Sequence, residues 1–147
     1  MTADEIEPLP RRHWFRAAAL AALLYVVIGL GTAALSRSAP SVQLRNTWRL
    51  VAWISSAVIF AAHIYYERRF RDSARRAAFH PAAAVALATF VLAGNAVAHQ
   101  LRTGSPRPTM LLAFAIWPIL TFIPAFAVAW VASRVLSHLS PDFVRRG

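Results

Sequence analysis

Cysteine and lysine are both missing from this 147-residue chain, and only six residues are acidic. Without a thiol there is no cysteine nucleophile, no disulfide exchange, no iron–sulfur ligation and no thiolate zinc site. Every basic residue is therefore an arginine, and alanine is the commonest residue, a bias expected of a bacterium with GC-rich coding. The few acids form no pair for metal binding or general acid–base work. Neither a Gly-x-Ser-x-Gly elbow nor a His-Glu-x-x-His motif occurs, so hydrolysis has no footing.

What the chain has in place of polar motifs is length of apolar sequence. Four stretches, Ala17 to Leu35, Leu50 to Tyr66, Ala82 to Leu101 and Met110 to Ala132, run apolar and end near arginine. Each approaches the ~20 residues that an α-helix needs to cross the hydrocarbon core of a bilayer. The expected fold is all-α, a polytopic four-transmembrane-helix bundle. It forms a single transmembrane domain over 1–147, with spans near 14–36, 48–67, 80–101 and 109–134. The first span follows an acidic head, Asp4-Glu5-Ile6-Glu7, and exceeds the ~7–15 apolar residues of a cleavable signal core. It is expected to be a retained helix.

Four spans place both termini on one side. On that side fall Arg11, Arg12, Arg16, Arg68, Arg69, Arg71, Arg75, Arg76, Arg134, Arg145 and Arg146, eleven against five opposite: Arg37, Arg45, Arg49, Arg102 and Arg107. The positive-inside rule makes the termini cytoplasmic, and the chain is expected in a bacterial inner membrane. Trp14, Phe15, Tyr65, Tyr66, Phe79 and Trp130 then mark the inner interface, and Trp48 the outer one. The net charge of +10 sits at span ends, where it meets headgroups, so nucleic acid is not expected as a partner. Arg68, Arg69, Arg71, Arg75 and Arg76 in particular face an anionic leaflet, each worth roughly 1 kcal/mol near the surface.

His63, Glu67 and Arg71 follow at i,i+4, as do Arg68, Asp72 and Arg76, which predicts that the second helix continues beyond the membrane as a charge-stacked turn. Pro81 is expected in the first turn of span three. Pro118 and Pro124 each remove a hydrogen bond inside span four and mark it as a bent packing helix, or a hinge. Small residues recur at spacing four, as in Ala18/Ala22, Gly29/Ala33, Ala82/Ala86 and Ala125/Ala129/Ser133, faces that let helices approach closely.

Within the spans, polar residues form two layers. Thr32, Ser55, Ser56, Asn95 and His99 lie towards the outside, with Asn95 and His99 one turn apart on the same face. This is the candidate intramembrane site, or a set of interhelical contacts in which Asn95 bonds a serine of span two. His13, His63, His80 and His138 lie near the opposite ends of the spans, without the spacing of a metal motif, and no metal site is expected. A haem bridging His63 and His99 within one chain is excluded by depth, since at ~1.5 Å per residue they differ by roughly 20 Å along the membrane normal, which leaves open only ligation shared with another subunit. No cofactor is expected. Because no Asp, Glu or Arg lies well inside a span, an ion-coupled carrier is disfavoured.

The stretch from Trp53 to Arg69, carrying Ser55, Ser56, His63 and Glu67, resembles segments of uncharacterised small four-helix bacterial inner-membrane proteins. The resemblance covers span two, and no activity comes with it. The function expected is a non-enzymatic accessory, assembly or scaffold subunit of a larger membrane complex, partnered by other membrane subunits or by copies of itself. The alternative is a small oligomeric channel or transporter using Asn95 and His99.

Overall fold

The computed structural model describes residues 12–69, 73–104 and 108–139, and all of its regular structure is helical. Four helices follow in order: α1 (Arg12–Ser38), α2 (Val42–Arg69), α3 (Ala74–Arg102) and α4 (Pro108–Leu139). Each is long and apolar enough to cross a membrane, with mean hydropathy of 2.2, 1.3, 1.7 and 2.0 in chain order.

The ends of the helices follow local chemistry. Ser41 Oγ accepts from the Leu44 N–H at 3.2 Å, satisfying one of the free donors at the start of α2. At the end of α3 the Thr103 N–H donates to His99 O at 3.1 Å, and Gly104 takes the left-handed backbone, φ 70°, that ends many helices. Inside the helices the hydroxyls turn back on their own backbone. Thr32 Oγ1 donates to Ile28 O at 2.6 Å, Thr89 Oγ1 to Val85 O at 2.9 Å and Thr121 Oγ1 to Trp117 O at 3.0 Å. A polar group without water must be satisfied internally, and these bonds do so.

α3 is the central helix. It packs most extensively on α4, then on α1 and α2, whereas α2 touches α4 only lightly. Its inward face is small, with Ala77, Ala78, Ala82, Ala84 and Ala88 all buried. Ala21, Ala22 and Tyr25 of α1 meet that face in one cluster, and Ala129 of α4 meets Ala78 and Ile64 in another. Phe90 packs on Phe114 with ring centroids 4.4 Å apart, and Phe79 on Phe122 at 5.7 Å, lining the α3–α4 seam. Meanwhile Leu23, Leu24, Val27, Ile54, Ile119 and Ile123 point outward. Alanine inside and leucine outside inverts the pattern of a water-soluble bundle, and it is the pattern a bilayer accepts.

Two sequence expectations change here. α3 begins at Ala74, so Pro81 is buried in the helix interior and not in its first turn. The charge ladder does not run on as one helix to Arg76, because Ser73 is extended and Arg76 belongs to α3; Arg71 and Asp72 lie outside the described residues. Pro118 and Pro124 both lie inside α4, as expected for prolines of a membrane-spanning packing helix.

Candidate functional site

Three polar groups from two helices close together at the end of the bundle where α2 hands over to α3. Glu67, in the last turn of α2, is only 3 % exposed, and His80, two turns into α3, is 8 % exposed. His80 Nδ1 lies 2.8 Å from Glu67 Oε2. An ionised carboxylate only accepts, so in that state the ring carries its hydrogen on Nδ1 and donates it. His63, one turn before Glu67, is also buried, with Nε2 at 3.8 Å from Glu67 Oε1 and neither ring nitrogen hydrogen-bonded. The packing that forces this encounter is the Ile64–Ala78–Ala129 cluster, whose alanines let α2, α3 and α4 approach. Buried ionisable groups at such a joint fix the register of two helices, because misregister would strand a carboxylate in apolar surroundings.

Beside this cluster opens a second feature, a cavity of about 430 Å³ lined by Arg68, Ser73, Ala74, Arg75, Trp130, Arg134 and Ser137. Three arginines from three helices converge on it. The guanidinium carbon of Arg134 stands 5.3 Å from the centre of the Trp130 ring, a cation–π contact that holds the charge in place.

The polar residues singled out from the sequence are dispersed. Asn95 and His99 are exposed on the outward face of α3, in line with Leu87 and Val91, and Asn95 makes no hydrogen bond to Ser55 or Ser56. Thr32 is absorbed by its own helix, and Ser55 is half-buried. Ser56 instead lines a mostly apolar cavity of about 320 Å³ between helices, together with Tyr25 and Thr89. There the Tyr25 hydroxyl is buried without a partner, while Thr121 Oγ1 donates to Thr89 Oγ1 at 3.3 Å.

Of the five headgroup arginines, Arg68 and Arg75 line the cationic cavity, Arg69 and Arg76 lie outside its lining, and Arg71 falls outside the described residues. Among the histidines, His63 and His80 meet on Glu67 while His138 is exposed; the His13 side chain is outside the described set. Among the described residues no three His, Asp or Glu side chains are placed to hold one metal ion. Sequence spacing signalled the His63–Glu67 neighbourhood, but not His80, which arrives from thirteen residues away across the interhelical connection.

The fold is an all-helical bundle of four helices long and apolar enough to span a membrane, with a buried acid–imidazole joint and an arginine-lined recess at one end. No protein-family model, no curated protein and no solved structure matches the chain.

Proposed function

We propose that this protein is a non-enzymatic subunit of a larger membrane assembly, seated in a bacterial inner membrane with both termini in the cytoplasm, and that α3 is the face by which it associates. The observation that carries this is the outward placement of Asn95 and His99. Asn95 lies seven residues, about 10 Å, before Arg102 at the end of α3, within the stretch apolar enough to span the membrane. An amide presented to lipid tails is unfavourable, whereas the same amide across a helix–helix contact gains a hydrogen bond worth about 0.6–2 kcal/mol.

The test is extraction from the source membrane in mild detergent, followed by mass spectrometry of what co-purifies. Stoichiometric partners, or a discrete oligomer, that dissociate in Asn95→Ala and His99→Ala variants support the reading. A monomer that purifies alone and is indifferent to both substitutions removes it.

A second reading has its own observation. The cavity of about 320 Å³ with the unpartnered Tyr25 hydroxyl, Ser56 and Thr89 favours a small channel or carrier that holds a mostly apolar solute with one hydrogen-bonding group. Flux in proteoliposomes that falls in Tyr25→Phe and Ser56→Ala, and persists in Asn95→Ala, would favour it over the first.

A further inference from the structure

We infer that the cavity of about 320 Å³ at the middle of the bundle, reached sideways through the groove between α2 and α4, binds one uncharged, largely apolar molecule by a single carbonyl or hydroxyl group. The inference rests on the second functional reading for its cavity, and adds the class of occupant and its way in.

The first argument is depth. Tyr25, Ser56 and Thr89, which line the cavity, each fall within one residue of the midpoint of their helix. The Asp, Glu or Arg nearest in sequence to any of them is Arg49, seven positions or about 10 Å from Ser56. A charged headgroup would have to leave water to reach that depth, which is costly, so a phospholipid does not bring its phosphate to these hydroxyls. An uncharged molecule meets no such barrier.

The second argument is hydrogen bonding. Thr89 Oγ1 is already committed, to Val85 O at 2.9 Å and to Thr121 Oγ1 at 3.3 Å. Tyr25, only 7 % exposed, has no such recourse, because a phenol stands too far from its own backbone to bond it, and its oxygen has no partner among the described residues. Ser56, half-buried on α2, makes no hydrogen bond among the described residues either, not even to its own helix. Two hydroxyls in apolar surroundings are thus free to donate, and a hydrogen bond made there removes the cost of leaving them unmet.

The third argument is access. α2 and α4 touch only lightly, and between them an apolar groove of about 920 Å³ runs along Ala57, Ala61 and Ile64 on one side and Val128, Val131 and Val135 on the other. Ala57 and Phe60 line both groove and cavity, so the one leads into the other. The three valines are exposed, on a face that lipid tails would cover. That route suits a molecule already dissolved in the bilayer, and the groove gives its apolar body a place to lie.

The test uses the full chain in mild detergent and three brominated probes: bromobenzene, para-bromophenol and para-bromoacetophenone. Trp53 lines the cavity, and bromine in contact with its ring quenches its emission. Saturable quenching that is lost in Trp53→Phe is expected. After correction for partition into detergent, an oxygen-bearing probe should bind at least ~3-fold more tightly than bromobenzene, the margin of one net hydrogen bond. Preference for the phenol alone makes the natural group a hydroxyl, and preference for the ketone makes it a carbonyl. Tyr25→Phe with Ser56→Ala, which removes two oxygens with little change of shape, should bring the preferred probe down to the level of bromobenzene and leave bromobenzene unchanged. Ala125→Leu, which fills the cavity from α4, should weaken all three. Ala57→Leu, at the exposed junction of groove and cavity, should slow association, and an unchanged rate removes the sideways route. Equal affinity for the three probes, quenching that never saturates, or a preference that survives the double variant overturns the site. Binding without flux in proteoliposomes keeps the site and removes the carrier reading, whereas flux without saturable binding removes the site and leaves transport to another path.

Discussion

Tyr25 carries a hydroxyl into an apolar seam where nothing accepts its proton, although the ring itself packs well against Ala84 and Ala88. A buried polar atom without a partner is destabilising, so Tyr25→Phe should raise stability by about 1 kcal/mol in detergent unfolding. A loss of stability instead would show that the hydroxyl is engaged in the native membrane. Glu67 and His80 predict the opposite sign. His80→Ala takes the 2.8 Å donor from a carboxylate that is 3 % exposed, and about 3 kcal/mol should be lost, as for other broken buried pairs. Glu67→Ala together with His80→Ala should cost clearly less than the two single changes summed, because neither partner is then stranded. A double-mutant cycle by equilibrium unfolding measures this, and simple additivity would deny the pair its role in registering α2 on α3.

At the scale of elements, close approach between α1 and α3 is tested by two glycines two residues apart. A Cβ on Gly29 would meet Leu92 Cδ1 at 2.9 Å, whereas one on Gly31 meets nothing within 4 Å. Gly29→Ala is tolerable, since the end of a leucine side chain can rotate away, but Gly29→Leu overpacks the seam and should cost about 1–3 kcal/mol. Gly31→Leu should be near neutral, read by the same unfolding measurement. The four helices were legible in the sequence because crossing a bilayer demands a long apolar run and nothing subtler. The boundary of α3 was not. Alanine-rich Ala74 to Phe79 favours helix as strongly as the span that follows, and Pro81 is tolerated in the interior where its missing N–H leaves only the Ala77 carbonyl to satisfy. His80 was unreadable as a partner for Glu67 because their contact is set by the path of the chain between helices, not by a period within one. Asn95 and His99 did share a face, as their spacing said, but which way α3 turns that face depends on where its alanines pack. The alanine stripe in α3 was visible; that α1 and α4 would both claim it was not.

For the whole molecule, the distribution of arginine predicts a topology, and the absence of cysteine makes it directly testable. The order of the four spans in the sequence assigns eleven arginines to the side of the termini and five to the other, and short loops rich in arginine resist translocation. The recess and the Glu67–His80 joint would then face the cytoplasm, while Asn95 and His99 lie towards the outer leaflet. Since the chain has no native thiol, Pro40→Cys, exposed between α1 and α2, and Ser73→Cys, exposed before α3, each report one side alone. In intact bacterial cells a membrane-impermeant maleimide should label Pro40→Cys and should reach Ser73→Cys only after lysis. The reverse result would turn the molecule over and place the arginine recess against the outer leaflet. Labelling of both in intact cells would break the four-span arrangement itself, because one bilayer cannot leave opposite ends of α2 on the same side.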